Sequence, residues 1–148
     1  MLILRRLLPA LALLLCLPAH ANWHLDGESS RLSFVTGKNG AQVDVHRFLV
    51  LHGAVDRQGV AGLRIEMDSV SRSTPLLDEQ MRDGLFEVKQ FADARVKTQI
   101  DLQPLKDLAN GAQIELRLPV TVNLHGKSHT YDAPLLATRL DERRFQVV

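Results

Sequence analysis

Cysteine is almost missing from this chain: of 148 residues only Cys16 is one, and it falls inside an N-terminal stretch that reads as a leader. Once that stretch is cut away no thiol remains. A thiol nucleophile, a cysteine zinc site and an iron–sulfur cluster are then excluded together, and the domain must stand without disulfides, which its size allows. Net charge is missing too. Removing Arg5 and Arg6 with the leader leaves 16 basic against 17 acidic residues, a balance of −1. Nucleic-acid binders concentrate positive charge on one face, so this balance argues against one. Low-complexity segments, charge blocks and domain linkers are also absent, and the only repeat is Leu51-His52-Gly53 against Leu124-His125-Gly126.

A long apolar run is lacking as well. The stretch from Leu7 to Leu17 is shorter than the roughly 18 to 20 residues of a spanning helix. It follows Arg5 and Arg6 and leads into Pro18-Ala19-His20-Ala21, whose small residues flank a cleavage point. That is the layout of a secretory signal peptide. A membrane anchor is opposed by the short run, and a lipid-modified Cys16 by Leu15, where such signals carry a small residue. Residues 1–21 are therefore expected to be a cleaved signal peptide, and 22–148 one exported domain with no transmembrane segment.

What the chain does have is alternation. From Ala112 to Leu124 the residues Ile114, Leu116, Leu118, Val120, Val122 and Leu124 fall on every second position. Period two marks a strand with one buried and one wet face. At about 3.3 Å per residue it would run roughly 40 Å, a length suited to a strongly coiled antiparallel sheet or a closed barrel. Pro119 stands on the wet face and cannot donate to a ladder, so a bulge or an unpaired amide is expected there.

Shorter alternating runs precede it. Trp23 and Leu25, then Leu32 and Phe34, lead to Asn39-Gly40, a strong hairpin signal. The run from Gln42 to Val55 has mixed parity, with Val43, Val45, Leu49 and Leu51 on one side and Phe48 and Val50 on the other; a bulge or apolar contacts on both faces are expected. Leu63, Ile65 and Met67 alternate, and Pro75 to Asp83 reads as one short helix capped by Ser73 or Thr74 and stopped by Gly84. Val96, Thr98, Ile100 and Leu102 give a further strand, and the Asn110-Gly111 turn precedes the long one. The last runs are His129 to Leu140 and Arg144 to Val148. The pattern predicts an all-β domain with one short helix, an antiparallel barrel of eight strands, with a two-layer sandwich as the competitor. Its inward residues are mostly aliphatic, so any cavity would be apolar.

The residue types that carry chemistry do not assemble into a motif. Five histidines lie beyond the leader: His24, His46, His52, His125 and His129. His125 and His129 flank a turn and could meet across a hairpin around a metal, but no HExxH spacing supports them. Otherwise His125 is a turn residue bonding backbone, and His24, His46 and His129 point to solvent. Ser69, Ser71, Ser73 and Thr74 lack a nucleophile-elbow motif and read as caps and turns. Asp78, Glu79 and Asp83 read as surface charges on the helix, and Arg82 as the partner of Asp78 or as a contact for a polar head group. No catalytic residue, metal or cofactor is assigned.

The marks at the turns, taken in order, carry a likeness. Trp23-His24-Leu25-Asp26 with Ser30 and Phe34, then Asp68-Ser69-Val70 with Ser73-Thr74, stand in the order of the YceI-like family of secreted bacterial proteins. So do Met81-Arg82-Asp83-Gly84-Leu85-Phe86-Glu87-Val88 with Phe91, and Leu124-His125-Gly126-Lys127. The chain resembles that family over nearly all of 22–148. It departs between Gln42 and Gly53, where His46 and Arg47 stand beside Phe48 in place of a glycine- and phenylalanine-rich stretch. The resemblance implies a lipocalin-like antiparallel barrel in the periplasm, holding a polyisoprenoid, quinone-like or other apolar ligand without chemistry. Its lining would be Phe34, Ile65, Met67, Phe86, Phe91, Val96, Ile100, Ile114, Leu116, Leu118, Val120 and Val122. The expected partner is that lipidic small molecule, not nucleic acid, and a homodimer is compatible with it. The alternatives are a metal-dependent enzyme using His125 and His129, and a packed barrel acting as an envelope stress or interaction module.

Overall fold

The computed structural model describes residues 23–38, 40, 42–71 and 75–148. The leader, Asn39 of the first hairpin signal and the Ser73–Thr74 cap lie outside the described residues. The strands are β1 (Trp23–His24), β2 (Leu32–Lys38), β3 (Gln42–Phe48), β4 (Leu51–Val55), β5 (Val60–Glu66), β6 (Val70–Ser71), β7 (Asp93–Gln99), β8 (Gln113–Leu124), β9 (Lys127–Arg139) and β10 (Phe145–Val147). Two short helices, α1 (Pro75–Gln80) and α2 (Gln103–Lys106), interrupt them. All pairings are antiparallel, in a seven-stranded sheet of order β1-β4-β5-β7-β8-β9-β10 and a three-stranded sheet β2-β3-β6. The all-β expectation holds as a strongly curled half-barrel. The expected eight strands become ten, two of them only two residues long. Among the described residues no helix is long and apolar enough to cross a membrane.

Of the two extra strands one is β6, and the other comes from the run of mixed parity, which divides into β3 and β4. The chain leaves the small sheet after Phe48 and enters the large one at Leu51, so the two buried residues lie an odd number of positions apart. Ser69 makes the joint. Its hydroxyl accepts the amides of Leu49 (3.2 Å) and Val50 (3.0 Å) and donates to the Glu66 carbonyl (2.6 Å).

β8 and β9 pair without interruption from Gln113↔Thr138 to Leu124↔Lys127. His125 and Gly126 close the hairpin with φ of 50° and 72°, the left-handed pair that a two-residue turn matched to strand twist requires. On its other side β8 pairs with β7 only from Thr121 to Asn123. Pro119 explains the stop. Its absent N–H and its carbonyl point the same way, toward β7, where the Thr98 hydroxyl bonds the carbonyl at 2.8 Å. The expected ladder defect is therefore the end of a ladder, with the β8–β9 register intact.

Beyond Pro119, α2 turns inward. Leu102 and Leu105 are buried with Ala137, and Trp23, Val55, Ile100, Ile114, Leu116 and Phe145 pack around them. Trp23 and Phe145 belong to the two edge strands, and their rings meet edge to face at 5.6 Å, so the sheet curls until its ends touch. Arg139 fastens α2 to β9: one guanidinium nitrogen bonds the carbonyls of Lys106 (2.9 Å) and Leu108 (2.8 Å), and the group lies 5.6 Å from the Phe145 ring centre. The cluster around Leu102 and Leu105 is the second core along the chain; the first, Phe48, Leu51, Ile65, Met67, Val70 and Ala94, joins the small sheet to the large one. Met81 packs against it from a wide turn over Met81–Leu85 in which the Phe86 amide reaches back to the Met81 carbonyl.

At the β4–β5 turn, Gly59 has φ 82°, and a side chain there would meet the Ile100 carbonyl at 1.9 Å. Gly59→Ala is expected to cost at least about 2 kcal/mol, because strain and collision add; a urea midpoint unchanged from wild type would contradict this. Arg139→Leu leaves the carbonyls of Lys106, Leu108 and Asp141 without their charged donor and is expected to cost about 1.5–3 kcal/mol, measured in the same way.

Candidate functional site

The inner face of the curled sheet grades from sealed to open. Ile65 and Met67, 6% and 2% exposed, are core. Phe34, Phe86 and Val96 lie half-buried against the same core, and Ile100, Ile114 and Leu116 against the second. Further along β8, Leu118, Val120 and Val122 remain half-buried and join neither cluster among the described residues. Their partners on β9 are Ala133, Tyr131 and His129. Along β9 the inward side chains pass from Ala137 at 1% exposure to Tyr131 at 56%. The second core thus forms a packed end, and an apolar row extends from it uncovered. Val122 stands opposite Val96, which connects the row to the first core.

Phe91 sits elsewhere, at the tip of the β8–β9 hairpin. Its ring lies 4.2 Å from that of His125, and a side chain on Gly126 would touch it at 3.1 Å. His125 Nε2 bonds Glu87 Oε2 at 2.6 Å, and Glu87 has φ of 49°. Two non-glycine residues in left-handed backbone therefore meet where the hairpin docks on the segment after α1. This replaces the expected bond from His125 to backbone.

The remaining histidines are dispersed. His52 bonds Glu66 at 2.8 Å on the outer face, and His129 packs on Tyr131 with ring centres 4.6 Å apart. No group of three His, Cys, Asp or Glu among the described residues is placed to hold a metal. Ser69 is occupied at the joint between the sheets, and Arg82 pairs with Asp68 at 3.5 Å, where the sequence suggested Asp78. Asp78, expected at the surface, is buried at 8% exposure. A depression of about 370 Å³ on the outer face is lined by His52, Gly62, Arg64, Arg95 and Lys97. Arg64 there is paired with Asp93 (3.2 Å) and Glu66 (3.5 Å), so the charges largely compensate.

The residue that sequence reasoning misplaced is His46. Expected in solvent, it is 3% exposed. On the β2–β3 hairpin the buried parity is the polar one: Thr36, Asp44 and His46 face inward beside Phe34 and Phe48, while Val35 and Val45 are 60% and 62% exposed outside. His46 stacks on Phe34, with centres 4.8 Å apart and planes at 21°, and its Nε2 bonds the Thr36 hydroxyl at 2.8 Å. Its other ring nitrogen, Nδ1, is buried and has no hydrogen-bond partner among the described residues. The available signal was the shared parity of His46 with Phe48, outweighed by the valines on the other face.

Comparison with known proteins agrees with this geometry. A family model described as the YceI-like domain matches residues 23–147. Among solved structures, the chain is similar to a polyisoprenoid binding domain from Saccharophagus degradans implicated in plant cell wall breakdown. The identity is 34%, covering 86% of this chain and 73% of that one, with a TM-score of 0.83. A comparison with curated proteins gives no match.

The hairpin tip should depend more on backbone than on charge. Coupling between His125 and Glu87, both well exposed, is expected to stay below about 1 kcal/mol in a double-mutant cycle. Gly126→Val, which places a branched side chain at φ 72° against Phe91, is expected to cost about 2 kcal/mol or more. The reverse order in thermal melts would show that the ion pair carries the docking.

Proposed function

The chain belongs to the YceI-like family, and from that footing we propose that it is an exported, non-catalytic carrier of an isoprenoid-tailed or other apolar lipid. The observation that carries this reading is the row Leu118, Val120 and Val122 on the inner face of β8, half-buried and outside both core clusters among the described residues. Apolar surface left exposed on a concave face is the form that recognition of a greasy ligand takes. The similar domain from Saccharophagus degradans, named for polyisoprenoid binding, supports the same class of ligand. The dispersal of the histidines and the structural use of Ser69 give no observation that favours an enzyme. The signal-like layout of residues 1–21 supports export, and the periplasm is the location we propose.

The direct test is native mass spectrometry of the protein purified from its own envelope, with extraction of whatever dissociates. A stoichiometric lipid supports the carrier; an apo mass that stays unchanged after incubation with isoprenoid lipids sinks it. Leu118→Ala is expected to weaken lipid uptake several-fold while costing less than the about 2–5 kcal/mol of a fully buried leucine, because Leu118 is only half-buried. Uptake unchanged in that variant would move the lipid to another surface.

A further inference from the structure

We propose that His46 is the polar anchor of this lipid site, its Nδ1 holding the uncharged oxygen at the end of the ligand. The inference rests on the lipid-carrier reading and specifies the ligand's polar end. Nδ1 is buried without a partner among the described residues, and a buried nitrogen left unpaired is costly enough that such atoms are rare in folded proteins. The ring itself is held firmly, by its stack on Phe34 and its bond to Thr36. A fixed ring with one free nitrogen is a preorganised contact for a single ligand atom.

The surroundings define that atom. The inner face of the β2–β3 hairpin inverts the usual pattern, with His46 buried, Thr36 and Asp44 half-buried, and Val35 and Val45 turned outward. Deeper along the same face the side chains become aromatic. Phe34, Phe48 and Phe86 pack with ring centres 5.5 to 5.9 Å apart. From there the first core leads through Val96 to Val122 and the open row of β8. A polar end followed by an apolar path fits an amphipathic lipid. One buried ring nitrogen is a single contact, which suits the one oxygen of an alcohol better than the several charged oxygens of a phosphate. A hydroxyl satisfies Nδ1 whichever ring nitrogen carries the proton, since it both donates and accepts.

The experiment measures binding of three probes of equal chain length: a twenty-carbon isoprenoid alcohol, the matching hydrocarbon and the matching diphosphate. The wild-type protein is expected to prefer the alcohol over the hydrocarbon by about tenfold, and over the diphosphate by more. His46→Phe keeps the aromatic stack and is expected to bind alcohol and hydrocarbon equally, with hydrocarbon affinity unchanged. His46→Asn, whose amide sits near the place of Nδ1, is expected to restore part of the preference, and Thr36→Val, which frees the ring, to reduce it; these two carry the test if the phenylalanine variant does not fold. Undiminished preference for the alcohol in His46→Phe, or a wild-type preference for the diphosphate, overturns the anchor while leaving the carrier intact. A wild-type protein that takes up none of the three removes the carrier reading and the anchor with it.

Discussion

The unbroken pairing of β8 with β9 is the constraint on which the rest of the structure depends. A two-residue turn fixes its register, and a register fixed along its whole length decides which side chains face inward at every level of the half-barrel. Pro119 then limits what the hairpin can do on its other side. Because its missing N–H faces β7, the sheet pairs there for only three residues, and α2 enters where the ladder has stopped. One proline thereby converts a continuous sheet into a wall with a plug at one end. The plug is held by Arg139, whose guanidinium supplies the donors that the last carbonyls of so short a helix would otherwise lack.

Two cores follow from this arrangement, and they do different work. The one built on Leu102, Leu105 and Ala137 seals the end where the sheet edges meet. The other, built on Phe48, Met67 and Val70, welds the small sheet to the large one. Between them the inner face of β8 keeps its apolar character without being covered. A sheet that filled its interior completely would gain packing energy there, so the open row lies where stability and binding compete for the same side chains.

Much of this was legible in the sequence wherever one periodicity ruled. The long strand, β5, β7 and the turns at Gly111 and Gly126 followed from alternation and turn chemistry, and the family likeness from particular residues at the turns. Met67 and Leu118 look alike in a pattern although one is sealed and the other half-buried, since parity reports direction and not depth, and Phe91, at the hairpin tip, follows no parity. The reading failed where a strand inverts its amphipathicity. Valines on one side and Phe48 on the other left the run open to a bulge or to two apolar faces, and His46 was expected in solvent, yet His46 and Phe48 are the buried residues of β3. It failed again at Leu49-Val50, where a change of sheet imitates a bulge, and at α2, four residues long and too short to show a helical period. Asp78 and Arg82 were assigned by helical spacing alone, which says nothing of the neighbouring strands that bury one and pair the other.

The contact of Trp23 with Phe145 has a kinetic meaning. The hairpins β4–β5 and β8–β9 join residues close in sequence and are inexpensive in loop entropy, so they can form early. Trp23 and Phe145 join the first and last strands, and nothing local brings them together. Folding of this domain therefore ends as it closes: until Phe145 is in place the sheet has its strands but not its curl, and the apolar row of β8 lies on an open ribbon with no interior.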